Sequence, residues 1–291
     1  MLLLAFEDEH DAAARISAAA GLPCARIERH RFPDGELKLT LPTELPERVA
    51  LLRSLNQPNE KLVELLLTAR TARELGVRHL TLVAPYLGYM RQDIAFHPGE
   101  AVSQRVIGRF LAGLFDRVIT VDPHLHRIER LDQAIPIADA VAVSAAASIG
   151  EFLRTQMQDA VLLGPDEESS QWVRIAAQAG DFAWACGRKA RHGDHEVDIS
   201  LPTVPLSDRH VVLLDDMAST GMTLAHAAQI VRAAGASQVD VAVTHALFVG
   251  RALETLQDAG IGRIWSTDTV AHGTNAVSVV PLLAEALIRD P

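Results

Sequence analysis

The stretch His210-Val211-Val212-Leu213-Leu214-Asp215-Asp216-Met217-Ala218-Ser219-Thr220-Gly221-Met222-Thr223 holds the residues best spaced for chemistry. Its apolar run reads as a buried parallel strand that ends on two carboxylates, and a short Ser/Thr/Gly loop follows. A helical pattern then opens through Leu224, Ala227, Ala228, Val231 and Ala234 and stops at Gly235. Amides at a helix N-terminus lack partners within the helix, and the helix dipole adds to them, so this junction can grip a phosphate. Asp215 and Asp216 can accept hydrogen bonds from sugar hydroxyls or face a bound Mg2+. Together these groups suit a phosphorylated sugar. The plainer reading, an acidic strand end with an ordinary helix cap, explains the Asp pair but not the whole string.

Open α/β sheets bind ligands at the C-terminal ends of their strands, and other such ends here carry polar groups. After a strand expected at 79–85 comes Pro85-Tyr86-Leu87-Gly88-Tyr89-Met90-Arg91-Gln92-Asp93. Arg91 can pair with a phosphate, stack on a base, or simply form a surface ion pair with Asp93. Asp122-Pro123-His124-Leu125-His126 follows a strand at 116–121. His124 can ligate a metal or reach a phosphate, whereas His126, His192 and His195 read as capping or solvated groups. Asp166, just past a strand at 159–164, is placed for an Mg2+ brought by a phosphate substrate, and Glu167 and Glu168 read as solvated acids at a helix start.

The segment Cys186–Glu196 gathers Arg188, Lys189 and Arg191 in a polar stretch read as a loop. Such a run is either a solvated face or a flexible loop that closes over charge developing in phosphoryl transfer. In Arg31-Phe32-Pro33-Asp34-Gly35-Glu36, turn chemistry explains Pro33, Asp34 and Gly35. Phe32 at the turn edge offers a base-stacking face.

Alternating strand-like and helix-like segments must position these groups. Strands are expected at 2–6, 24–31, 36–41, 48–54, 79–85, 116–121, 159–164, 181–188, 209–215, 237–246 and 262–267. Helices are expected near 9–20, 59–75, 102–113, 142–157, 167–179, 222–234, 250–259 and 278–289. In the helix at 59–75 the expected buried stripe is Leu62, Leu65, Leu66, Ala69, Ala72 and Leu75, closed by Gly76. The order predicts an α/β protein with mostly parallel sheets flanked by helices. Two similar halves are expected, 1–140 and 141–291, joined in the Ala-rich stretch 136–148, with a last helix able to pack on either.

The 291 residues are 48% hydrophobic and 22% charged, which suits a folded α/β protein. Acids outnumber bases 37 to 27, for a formal charge of −10, and this argues against a nucleic-acid partner. Cys24 and Cys186 match no metal spacing and read as buried thiols of a reducing cytosol. The apolar start Met1–Phe6 reads as a first strand rather than a signal peptide, and no run is long enough to cross a bilayer. A soluble cytoplasmic protein is expected.

The string at 210–223 resembles the phosphoribosyl pyrophosphate (PRPP) loop of type I phosphoribosyltransferases and PRPP synthases. In order and in register, the segments from Phe32-Pro33-Asp34-Gly35-Glu36 to Ser266-Thr267-Asp268-Thr269 resemble the ribose-phosphate diphosphokinases, the PRPP synthases, over nearly the whole chain. Asn59–Leu67 resembles the family's segment ahead of its Pro-Tyr-x-Gly-Tyr-x-Arg-Gln-Asp loop. The resemblance implies two phosphoribosyltransferase-type domains with the active site between them, and a homo-oligomer. It also implies transfer of the diphosphoryl group of Mg-ATP to the anomeric hydroxyl of ribose 5-phosphate, giving PRPP and AMP.

Family roles then fall on particular residues. Phe32, Asp34, Gly35 and Glu36 would line the adenine pocket of a neighbouring subunit, and Arg91, Gln92 and His124 would hold ATP. His124 and Asp166 would contact Mg2+, and Lys189 and Arg191 would form the catalytic basic segment in the shorter archaeal-type form. Asp215, Asp216, Ser219, Thr220, Gly221, Met222 and Thr223 would bind ribose 5-phosphate. The chain departs from the family pattern at Ser219, where many members have Asp, and at Met222, where most have a second Gly. Ile94 replaces a basic residue, and Glu167–Ser170 replaces a stretch that is often Gly-rich. A type I phosphoribosyltransferase and a non-catalytic regulatory paralogue are the competing readings.

Overall fold

The computed structural model describes residues 1–192, 196–200 and 204–289, without the side chains of 188–192 and 196–200. The chain divides into two compact units: Met1–Val143 together with the C-terminal segment from Val280, and Ser144–Val279. The first contains β1 (Leu2–Phe6), α1 (His10–Ala20), β2 (Cys24–Arg31), β3 (Leu37–Thr40), β4 (Arg48–Leu52) and α2 (Pro58–Glu74). It continues with β5 (His79–Ala84), α3 (Ser103–Ala112), β6 (Arg117–Val121), α4 (Leu131–Ala134) and β7 (Asp139–Val143). The second contains α5 (Ala146–Gln156), β8 (Val161–Gly164), α6 (Ser170–Gly180), β9 (Ala183–Cys186), β10 (Arg188–His192), β11 (Glu196–Ser200) and β12 (His210–Ala218). Then come α7 (Met222–Ala233), β13 (Gln238–Ala246), α8 (Ala252–Asp258), β14 (Ile264–Thr267) and β15 (Asn275–Val277), before α9 (Val280–Ile288) returns to the first unit and packs on α1.

In the first unit the strand order is β3-β2-β1-β4-β5-β6-β7, parallel throughout except for the β2–β3 hairpin. Leu4, Leu51, Leu82 and Val118 of this sheet pack with Leu65, Ala69 and Ala72 of α2 in one core. Such continuous apolar runs are what strands covered on both faces require. In the second unit the order is β15-β14-β13-β12-β8-β9, all parallel, with β10 and β11 forming a separate antiparallel ribbon. Among the described residues no helix is long and apolar enough to cross a membrane.

Several expected elements shift. The polar stretch after Cys186 is a two-stranded ribbon, not a loop, pairing Lys189 with Ile199 and Arg191 with Val197. Glu196-Val197-Asp198-Ile199-Ser200 alternates polar and β-branched residues, a strand pattern that the neighbouring cations obscured. The Ala-rich junction contains β7, an edge strand paired with β6, and α5 starts only at Ala146. Of the expected stripe, Leu66 on α2 and Leu75 just past its end are exposed, while Glu64 and Thr68 are buried beside Leu65, Ala69 and Ala72. The buried face is rotated because Glu64 meets Arg53 inside the unit. β12 runs through both carboxylates to Ala218, since β13 pairs alongside it as far as Ala246.

Candidate active site

In the second unit the chain passes from β8 to β9 on one side, and the later strands β12 to β15 extend on the other. The crevice at such a reversal, outside the C-terminal strand ends, is where open α/β sheets receive ligands. Asp166 lies just past β8, and Asp215 and Asp216 lie near the end of the adjoining β12. Burial raises the Asp215 carboxyl well above the usual carboxylate range, and the neighbouring Asp216 and Asp166 push it further. Asp215 Oδ1 accepts a hydrogen bond from the Asp216 amide at 3.0 Å, which opposes that rise. Burial and the two neighbouring carboxylates each disfavour a negative charge on Asp215.

The turn Ser219-Thr220-Gly221 leads directly into α7. Gly221 has φ +77°, and a Cβ there would stand 3.1 Å from Leu256 Cγ and 3.2 Å from the Ala252 carbonyl oxygen. Glycine is the residue that takes this left-handed conformation without steric cost. No side chain caps the N-terminus of α7 among the described residues, so its first amides stay available to an anion. The Leu247 amide donates to the Ala218 carbonyl and the Val249 amide to the Ser219 carbonyl, at 3.0 and 3.1 Å, anchoring the turn to the segment after β13. Thr220, Met222 and Thr223 are exposed, with Met222 62% exposed.

Asp166 also closes the start of α6. Its Oδ1 accepts from the Glu168 and Ser169 amides at 3.1 and 3.3 Å, and Ser169 Oγ donates to its carbonyl at 2.7 Å. Glu167 and Glu168 are exposed, as read from the sequence. Lys189 and Arg191 occupy alternate positions of the β10 backbone, and their side chains lie outside the described residues, as does His195.

In the first unit, Phe32, Asp34, Gly35 and Glu36 come together on the exposed β2–β3 turn. The Phe32 amide donates to the Glu36 carbonyl at 2.8 Å, and the Glu36 amide donates to Asp34 Oδ1 at 3.2 Å. Phe32 is 40% exposed, with its ring edge-on to His30. The loops after β5 and β6 carry Arg91, Gln92 and His124 and emerge from adjacent strands. Asp93 pairs with Arg127, not with Arg91: Arg127 Nη1 donates to its two oxygens at 2.7 and 2.9 Å. Gln92 Nε2 donates to the Ile94 carbonyl at 2.9 Å. His124 is half-buried, its ring 5.9 Å from that of His126.

The corresponding reversal in this unit, between β1 and β4, is filled by the protein itself. Arg53, 1% exposed, donates to Asp8 Oδ2 at 2.8 Å, to Glu9 Oε2 at 3.0 Å and to Glu64 Oε2 at 2.7 Å. Its guanidinium also lies over the Phe6 ring, 4.7 Å from the centroid. Sequence reasoning missed Arg53; the available signal was a cation directly after the apolar run Val49–Leu52. The two strand reversals thus differ: Arg53 plugs one, and the other carries Asp166, Asp215 and Asp216 at its strand ends. Among the described residues no three His, Cys, Asp or Glu side chains are grouped to hold a metal on their own.

Residues 1–114 match the family described as the N-terminal domain of ribose phosphate pyrophosphokinase, and residues 128–258 match the phosphoribosyl transferase domain. A Methanopyrus kandleri protein named ribose-phosphate pyrophosphokinase is 36% identical over 291 residues, covering 99% of this chain and 98% of its own. The chain belongs to the ribose-phosphate pyrophosphokinase family. A Methanosarcina acetivorans protein of the same name is 35% identical over 279 residues, with 95% of each chain covered. The fold is that of phosphoribosylpyrophosphate synthetase from Mycobacterium smegmatis, with a TM-score of 0.83 over 98% of this chain and 97% of that one, at 22% identity. Of the residues singled out above, the pyrophosphokinase N-terminal match contains Phe32–Glu36, Arg91 and Gln92. The transferase match contains Asp166, Lys189, Arg191, Asp215 and the turn from Ser219 to Thr223.

Proposed function

We propose that the protein transfers the diphosphoryl group of ATP to the anomeric hydroxyl of ribose 5-phosphate, releasing PRPP and AMP. The observation that carries this is the full-length match to proteins named ribose-phosphate pyrophosphokinase, which spans both units. A type I phosphoribosyltransferase would account for the second unit alone and has no use for an ATP site in the first. In this reading the α7 amides and the turn Ser219–Thr223 hold the 5-phosphate, while Asp215 and Asp216 accept bonds from the ribose hydroxyls. Phe32, Asp34, Gly35 and Glu36 contact adenine, and Arg91, Gln92 and His124 contact the polyphosphate.

The sugar hydroxyl attacks the β-phosphorus and gives up its proton to solvent, the bond to the α-phosphate oxygen breaks, and AMP leaves. Lys189 and Arg191 stabilise the charge that spreads over the transferring group, so catalysis is positioning and electrostatics. Mg2+ is the proposed cofactor, with Asp166 and His124 as its protein contacts. Asp166, Asp215 and Asp216 stand at adjoining strand ends and suit a cation, and Mg2+ that arrives on phosphates takes only one or two carboxylates from the protein. When bound, it neutralises the polyphosphate.

We further propose a homo-oligomer in which the turn at 32–36 serves a neighbouring subunit's site, and a cytoplasmic location consistent with two free thiols, Cys24 and Cys186. Incubation with ATP, Mg2+ and ribose 5-phosphate tests the reaction directly. AMP should form only when the sugar is present; AMP release without sugar, or none with it, excludes the assignment.

A further inference from the structure

We infer that Asp93 and Arg127 are positioning residues whose ion pair clamps the loop carrying Arg91 and Gln92 to the loop carrying His124. The inference rests on the ATP-binding role proposed for those loops. β5 and β6 are neighbouring parallel strands, paired as far as Ala84 with Thr120, so the two loops start side by side. Shared roots do not fix loops farther out, where chain freedom accumulates. The clamp acts there. Arg127 Nη1 donates to Asp93 Oδ1 at 2.7 Å and Oδ2 at 2.9 Å, and His126 Nδ1 stands 3.7 Å from Oδ2.

Burial separates this pair from an ordinary surface ion pair. The Asp93 side chain is 4% exposed and that of Arg127 is 45% exposed, so the cation covers a carboxylate sunk into the junction. A buried carboxylate without a partner is costly. Arrangements that part the two loops are therefore disfavoured.

A second set of bonds, from α3, holds the stretch Met90-Arg91-Gln92. Gln104 is 3% exposed. Its Nε2 donates to the Met90 carbonyl at 3.1 Å, and its amide donates to the Gln92 carbonyl at 3.2 Å. The carbonyls on both sides of Arg91 are thus pinned, and the residue after Gln92 is held by Arg127. Arg91 itself is exposed and forms no ion pair with a described residue. Its backbone is set in advance while its guanidinium stays available, which lowers the ordering cost of binding a polyphosphate.

The test measures binding of Mg2+ with the α,β-methylene analogue of ATP by calorimetry, together with separate KM values for ATP and ribose 5-phosphate. Arg127→Ala should weaken analogue binding and raise the KM for ATP about tenfold, the scale of ordering one or two long side chains. The KM for ribose 5-phosphate should stay within about twofold, a split that general destabilisation would not produce. Arg127→Lys should recover most of the loss, because a single nitrogen makes both contacts. The double variant Asp93→Ala, Arg127→Ala should be no weaker than the worse single variant. Unchanged analogue affinity in folded Arg127→Ala, equal loss for both substrates, or multiplying single effects would each overturn the clamp. Arg127 is half-exposed, so this variant and its Lys counterpart decide the matter even if Asp93→Ala does not fold. A wild-type protein that binds the analogue but makes no AMP would refute the proposed reaction and leave the binding test of the clamp intact. If it binds no analogue, both readings fall.

Discussion

If Lys189 stabilises charge that appears only during transfer, its loss must reach kcat before it reaches binding. Lys189→Ala should lower kcat about 10²-fold or more, as for removal of one strong electrostatic donor, with much smaller changes in KM. A variant with near-normal kcat would remove Lys189 from the mechanism. Gly221 is tested through binding instead. Its φ of +77° and the Leu256 carbon 3.1 Å from a notional Cβ mean that Gly221→Val must distort the turn. The KM for ribose 5-phosphate should rise while ATP affinity stays nearly constant; equal loss of both would point to misfolding or to another ligand at this turn. The turn was legible in the sequence because its signal is local: strand, turn and helix follow one another in the chain. Arg53 was not, since its partner Asp8 is 45 positions away and only the sheet brings them together. Arg127 was hidden for the same reason. It follows His126 in the chain, and its partner Asp93 is 34 positions away, beside the nearer cation Arg91.

Elements with a strong apolar period were legible, and those whose pattern is weak or contested were not. β7 is the five residues Asp-Ala-Val-Ala-Val at an edge of the first sheet, too short and too rich in Ala to stand out from a linker. The ribbon of β10 and β11 was read through its charges rather than its alternation. The apolar period sets the span of α2 but not its rotation about its axis, because an apolar count cannot foresee that Glu64 goes inside to meet Arg53. A similar buried cation fixes α9. Arg117, 3% exposed, donates to the Ala286 and Arg289 carbonyls at 3.0 and 2.8 Å and lies 3.0 Å from Asp139. It thereby satisfies carbonyls at the C-terminus of the helix, where cations are favoured. Arg117→Ala should cost about 3 kcal/mol in denaturant unfolding, the lower end for breaking a buried pair. A loss below about 1 kcal/mol would mean that the apolar packing of α9 on α1 holds the helix without it.

At the scale of the molecule, the formal charge of −10 is compatible with the proposed phosphate substrates only if a few placed cations, not a basic surface, receive them. The proposed oligomer is the part of the function that one chain cannot display. The turn at 32–36 is exposed on the first unit, while Lys189 and Arg191 belong to the second. If the turn completes a neighbour's site, the protein must be at least a dimer, and symmetric homo-oligomers are the commonest solution. The test does not depend on the subunit number. A protein carrying Asp34→Ala with Glu36→Ala, and another carrying Lys189→Ala, should each be poorly active. In mixed oligomers, some sites would join an intact turn from one chain to an intact basic ribbon from the other. Those sites should work, so co-expressed and purified mixed oligomers should exceed the average of the two parents. Activity equal to that average would mean that the turn serves its own chain, and the shared-site proposal would then fail while the reaction itself remained assigned.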